Sequence, residues 1–275
     1  MSLGIVFKGA EGIVLAADSR VTLETQKNID PNTKFIMHST YDNATKLLKV
    51  NGQNHIGAVT YGLAALGGNE PRTAHSFIPE FEAELMKTHN KRLSVQEFAD
   101  EFSNFFMKQW GKLMSSNYQG APMVFLIGGY DIDAPYGRVF EISIPDKPSP
   151  NELNPSSFGI TFGGQTECVA RILQGFDPNI KSVLKQKFSL DDNQANQLIT
   201  DLSGQLAINI PYEFLPLQDC VDLCIFLIKA TIQMQQLAIG IRGVGGAIDI
   251  AVITKTVGFQ PVQEKVIGGE SKKLM

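Results

Sequence analysis

Cysteine is scarce in this chain: Cys168, Cys220 and Cys224 are the whole complement, too few for a disulfide framework. Cys220 and Cys224 stand one helical turn apart, but no second pair of ligands lies nearby, so they read as buried apolar residues. Histidine is scarce as well. His38, His55, His75 and His89 show no metal-ligand spacing, and neither a metal nor any other cofactor is expected. Positive charge is not in excess, with 24 Lys and Arg against 28 Asp and Glu and a formal net charge of -4. That balance gives no basic field for nucleic acid or an anionic membrane surface. Long hydrophobic runs are missing too. The most apolar stretch, residues 221–239, is broken by Asp222, Lys229 and several glutamines, so it reads as a core helix and not a membrane span. The first residues lack the basic and apolar regions of a signal peptide, which with the few cysteines predicts a reducing, cytoplasmic location. Gly67-Gly68, Gly128-Gly129 and Gly163-Gly164 lack the order of a phosphate-cradling loop, and no internal repeat is evident.

What the chain has is apolar material for a large core. With 275 residues and 43% hydrophobic content, residues 1–275 read as one domain. Residues 4–8 and 12–18 alternate around a Gly9 to Gly12 turn, the pattern of a hairpin, and residues 46–50 and 55–61 form another. A helix is predicted over residues 71–87. A second opens at Ser94 with Glu97 three residues on, a capping box, and carries Val95, Phe98, Phe102, Phe105, Phe106 and Leu113 at helical spacing. Strands follow at 123–130 and 138–144, helices at 166–174 and 218–238, and a strand at 246–254. Between them, residues 194–207 form an amphipathic run opened by Asp191-Asp192, an added helix to cap a cleft or mediate assembly. The order of elements is that of an α+β, four-layer αββα sandwich, two antiparallel sheets between helical layers.

The first fifty residues carry the chemistry. Ser2, if exposed by removal of Met1, holds a hydroxyl nucleophile and an α-amine on one residue. Such an amine has a reference pKa of about 7.7–8.0 and can take the hydroxyl proton near neutral pH. A nearby cation favours the neutral amine and stabilises developing negative charge, and a carboxylate holds the cation in place. Lys46 and Asp18 are of those types. Taken singly, each residue has an ordinary explanation: a small second residue, a charge cluster ending a strand, an exposed lysine. The combination is what stands out.

The run from Gly9 to Thr22, GAEGIVLAADSRVT, resembles the N-terminal hairpin of proteasome β-type subunits, members of the N-terminal-nucleophile hydrolases. Counting back from Asp18 at that family's spacing reaches Ser2, where those subunits carry their catalytic threonine. Residues 44–50, ATKLLKV, look like the strand bearing the family's catalytic lysine, which falls on Lys46. Residues 57–65 resemble the following strand and turn, where a glycine amide supplies the oxyanion hole; Gly62 is the candidate. Segments 123–130 with 138–144, 159–172 and 243–254 continue the resemblance. It implies a peptidase acting on peptides or unfolded proteins through an ester intermediate, in a ring-like homo-oligomer, with the unfolding ATPase left open. It also implies that Thr22 pairs with an extended substrate, and that Val21, Ala44, Leu48, Thr60 and Ala64 line a pocket selecting apolar residues.

The chain departs from the family in three ways. Residues 23–43 are an insertion, rich in turn formers such as Asn28, Asp30, Pro31 and Asn32, and residues 176–216 are a second. Gly164, Ile241 and Val244 stand where the family places polar support for the terminal amine. Ser2 replaces threonine and loses the methyl that helps fix its rotamer. Residues 260–275 read as a strand remnant and mobile tail. Two alternatives to the peptidase stay open: a noncatalytic structural subunit, and an amidohydrolase or transpeptidase with one dedicated substrate under a lid made by the insertions.

Overall fold

The computed structural model describes residues 2–30, 33–68, 70–89 and 91–268. Its elements run β1 (Leu3–Lys8), β2 (Ile13–Asp18), β3 (Val21–Asp30), β4 (Thr33–Tyr41), β5 (Leu47–Lys49), β6 (Ile56–Gly62), β7 (Ala65–Leu66), β8 (Arg72–Thr73), α1 (Ile78–Thr88) and α2 (Val95–Leu113). They continue with β9 (Met123–Gly129), β10 (Arg138–Ile144), β11 (Lys147–Leu153), β12 (Gly159–Gly164), α3 (Glu167–Gln174), α4 (Ile180–Phe188), α5 (Asp192–Leu206), α6 (Leu217–Leu237), β13 (Ile248–Thr254) and β14 (Gly258–Gln263). The fold is α+β with antiparallel sheets. One five-stranded sheet has the order β12-β1-β2-β13-β14, and a second has β11-β10-β9-β6-β5.

Alternation along the strands feeds three hydrophobic clusters. On β1 and β2, Leu3, Ile5, Phe7, Val14 and Ala16 pack with α3 and α6 through Val169, Leu173, Cys220, Cys224 and Leu227. The opposite faces of the same strands, Val6, Ile13, Leu15 and Ala17, meet Val59, Leu126 and Val139 of the second sheet. The far face of that second sheet packs Phe125, Ile127, Phe140 and Ile142 against α1 and α2. Both faces of β1 and β2 are therefore covered, and all their residues are buried.

The capping box at Ser94 is present, and Phe98, Phe102, Phe105 and Phe106 are buried on the expected face of α2. Phe102 meets Phe81 with ring centroids 5.0 Å apart and Phe125 at 4.9 Å. Leu113, the last residue of the helix, is exposed. The helix predicted over 71–87 begins later, at Ile78. The Thr73 hydroxyl caps a short 3-10 turn over Ala74–Phe77 that precedes it.

Residues 23–43 form most of an antiparallel ribbon: β3 and β4 pair from Val21↔Tyr41 to Asp30↔Thr33 with a register shift between Asn28 and Asp30, and Pro31 and Asn32 lie outside the described residues. Within 176–216, α5 starts on its own capping box, Asp191 with Gln194, and α4 precedes it. The strand remnant expected at the start of 260–275 is the later part of β14, which pairs with β13; residues 269–275 lie outside the described residues. Cys220 and Cys224 are buried on α6, and burial pushes the Cys220 thiol up to about 11 and the Cys224 thiol higher still. No helix among the described residues is long and apolar enough to cross a membrane.

Candidate active site

Ser2 and Asp18 come together at one end of the first sheet, because β1 starts where β2 finishes. The Asp18 carboxylate is fully buried and collects four donors. Leu3 N–H reaches Oδ1 at 3.0 Å, and Gly245 N–H and Arg20 N–H reach Oδ2 at 3.0 and 3.1 Å. Lys46 Nζ completes the set, 2.6 Å from Oδ1. An anion buried this deeply is tolerable only with such a complement of charge-assisted donors.

Lys46 arrives from the other sheet. It immediately precedes β5, and its carbonyl accepts the Thr60 N–H at 3.0 Å, which registers it against β6. Its ammonium also donates to the Arg20 carbonyl at 2.6 Å. The β3–β4 ribbon does not disturb this pairing because its root is closed. Arg20 forks onto Asp42, with Nε to Oδ1 at 2.5 Å and the second nitrogen to Oδ2 at 2.7 Å, and Ala44 N–H donates to the Ser19 carbonyl at 2.9 Å. The β3–β4 ribbon thus leaves and returns at one point. Burial lowers the Lys46 pKa below the usual lysine range, with the facing Asp18 pulling the other way.

One narrow cleft is lined by Ser2, Lys46 and Gly62 together with Val21, Ala44, Thr60 and Ala64. Gly62 has φ +84°, and a Cβ there would collide with the Pro122 carbonyl oxygen, so the backbone at this wall requires glycine. Leu48 does not line the cleft. Side chains alternate along β5, so Leu47 faces the space between the sheets while Leu48 is fully buried against the α1–α2 side. Thr22 lies beside the cleft on β3, a strand that pairs only with β4 among the described residues and keeps its other edge open.

Several residues at this end of the fold carried no sequence signal. Tyr61 also lines the cleft and donates to Glu141 at 3.2 Å; burial raises its pKa. Asp249 is 3% exposed and accepts from the Ser19 hydroxyl at 3.3 Å, from Lys265 N–H at 3.0 Å and from the Lys265 ammonium. At the remaining predicted positions, Gly164 has no side chain to offer, Ile241 is exposed, and Val244 is buried in the apolar cluster under the first sheet.

No protein-family model matches this chain, and no curated protein sequence does. Solved structures share its fold. The Anbu complex from Pseudomonas aeruginosa, which forms a helical assembly, superposes with a TM-score of 0.56 at 13% identity, over 98% of this chain and 88% of that one. The Gly-1 mutant of Anbu from Hyphomicrobium sp. strain MC1 gives 0.55 at 13% identity with the same coverage. Anbu, the ancestral base unit, is a relative of the proteasome, so the fold is proteasome-like. The resemblance to proteasome β-type subunits themselves is corrected by these neighbours, which are Anbu proteins.

Proposed function

We propose that this chain is an N-terminal-nucleophile hydrolase that cuts peptide bonds with Ser2 after Met1 is removed. The observation that carries the reading is the convergence of Ser2, Lys46 and Gly62 on one cleft, with Lys46 paired to a buried Asp18 behind it. The three hydrophobic clusters support the four-layer αββα arrangement on which such sites are built.

In the proposed reaction the Ser2 α-amine accepts the hydroxyl proton as Oγ attacks the scissile carbonyl carbon. Lys46, held charged by Asp18, stabilises the developing negative charge, and the Gly62 N–H receives the oxyanion. Collapse of the tetrahedral intermediate breaks the C–N bond, the leaving amine takes the proton, and the acyl group stays on Ser2 as an ester. Water, deprotonated by the same amine, then releases the acid. Val21, Ala44, Thr60 and Ala64 are small or apolar, which favours apolar residues before the cut, and the open edge of β3 at Thr22 suits an extended peptide. The helical assembly of the Pseudomonas Anbu complex supports a homo-oligomer here. The noncatalytic reading draws its support from Gly164, which has no side chain, and from Ile241 and Val244, whose side chains carry no polar group for the amine.

Intact mass of protein made in its native context, before and after an electrophile that requires both a terminal hydroxyl and its amine, separates the readings. Loss of Met1 and one adduct on Ser2 is expected. Retained Met1 with no adduct overturns the catalytic reading in favour of the structural one.

A further inference from the structure

A closed run of hydrogen bonds surrounds the Ser2 backbone without entering the cleft. Gln165 N–H donates to the Ser2 carbonyl at 2.8 Å. The Gln165 side-chain oxygen accepts from Gln235 Nε2 at 3.2 Å, and Gln235 Oε1 accepts from Val244 N–H at 2.9 Å. The next residue, Gly245, donates to Asp18 Oδ2, while Asp18 Oδ1 accepts from Leu3 N–H, adjacent to Ser2. The run therefore begins and ends at the nucleophile. Asp18 bridges one side of the run with its carboxylate, and Gln235 bridges the other: it projects from α6 and ties together the turn before α3 and the loop before β13.

Two features fix this geometry. Val244 N–H can only donate, so it sets the Gln235 amide with its oxygen toward Val244 and its NH2 toward Gln165. Gly164, at φ +97°, brings its backbone against the Ser2 carbonyl so closely that a Cβ would collide with that oxygen. Polar side chains are absent at Gly164 and Val244, and Gln235 supplies the polar link between those same two segments from a third.

We propose that Gln235 is a positioning residue for Ser2, bracing the 163–166 turn against the 243–246 loop so that the nucleophile and the Asp18–Lys46 pair keep one mutual geometry. The proposal rests on the nucleophile reading of Ser2. Glutamine suits the task because it braces without charge. A carboxylate in its place would favour the protonated form of a nearby α-amine and weaken it as a base.

The test compares Gln235→Met, which removes both bonds at similar length, with Gln235→Glu, which keeps the acceptor for Val244 N–H and offers Gln165 an oxygen it can meet by turning its own amide. Methionine is expected to lower kcat on an apolar peptide substrate by about 10–100-fold with KM little changed, because Gln235 does not line the cleft. Glutamate should recover the hydrogen-exchange behaviour and part of the turnover. In the methionine variant, hydrogen exchange should quicken at the Gln165 and Gly245 amides, neither of which bonds to the replaced side chain. Unchanged exchange at both amides overturns the proposal. So does a fall in kcat that only tracks a general loss of protection across the sheets. A parent protein that neither turns over nor takes an adduct defeats the nucleophile reading instead, and exchange at Gln165 and Gly245 still decides whether Gln235 braces the Ser2 segment.

Discussion

Two buried aspartates lie side by side across the β2–β13 seam, and each holds a lysine. Asp18 faces Ile248, and Asp249 faces Ala17, so the two carboxylates leave the sheet at adjacent rungs. Their surroundings differ. Asp18 is bound by three backbone N–H groups and by Lys46, whose side chain is 5% exposed and points into the cleft with Ser2. Asp249 is bound by a hydroxyl, one backbone N–H and Lys265, whose side chain is 14% exposed and borders a wider cavity between β5 and the segment after β14. Equal chemistry at adjacent rungs thus gives one pair walled in on both sides and one pair that closes the edge of the fold. Deep burial makes the first pair costly to disturb and, in the proposed reaction, would make its charge effective on the reacting oxygen. The second pair fastens the C-terminal strap to the strand that carries the Asp18 loop.

The sharpest way to break that distinction is Lys46→Ala. Removing the cation leaves Asp18 a buried, uncompensated carboxylate, a loss of about 3–5 kcal/mol in urea unfolding. Adduct formation on Ser2 should fall by about 100-fold or more, because the charge facing the reacting oxygen is gone. Labelling at the parental rate would show that Lys46 is only a structural counter-ion. Asp249→Ala should do less. It leaves Lys265 able to turn to solvent and strands only the Ser19 hydroxyl and one N–H, a cost of about 1–3 kcal/mol with labelling reduced less than about tenfold. If Asp249→Ala proves as damaging to labelling as Lys46→Ala, the two pairs act as one unit.

The first pair was legible in the sequence and the second was not, for a physical reason. Asp18 ends a hairpin whose apolar run and Gly turn are local signals, and Lys46 stands just before another strand. Lys265 sits in a polar stretch that resembles a tail, and its contact with Asp249 is a tertiary one that no local signal announces. The helices with capping boxes, α2 and α5, were visible because a cap is a local device. β11 was hidden: Pro148 and Pro150 argue against a strand, yet an edge position spares one side of the ladder and tolerates them. Likewise β12, with three glycines in six residues, reads as a turn until β1 pairs with it along its length. Leu48, expected at the cleft, packs instead on the α1–α2 side, a facing that only the tertiary structure sets. Gln165 and Gln235 carry no motif, and their partnership spans 70 residues of chain.

The smallest expected effect is also the one that measures the distance between the pairs in energy. Lys46 is held below the ordinary lysine range mainly by burial, while Asp18 and Asp249 pull its pKa up and Lys265 pushes it down. The catalytic reading needs Lys46 charged and the Ser2 amine neutral, so the pH–rate profile should rise near the amine's reference value of about 7.7–8.0 and fall on an alkaline limb earlier than ordinary lysine would give. The same lowered pKa means that the unfolded chain binds more protons than the folded one between the two lysine values, so Lys46 makes stability rise with pH across that window. Lys265→Gln removes the downward push and should move the alkaline limb up by a fraction of a pH unit. Asp249→Asn removes an upward pull and should move it down. Opposite shifts mean that the outer pair tunes the inner one through space. Shifts in the same direction, or none, mean that the strap at Lys265 fastens the fold and leaves the charge on Lys46 to Asp18 and to burial alone.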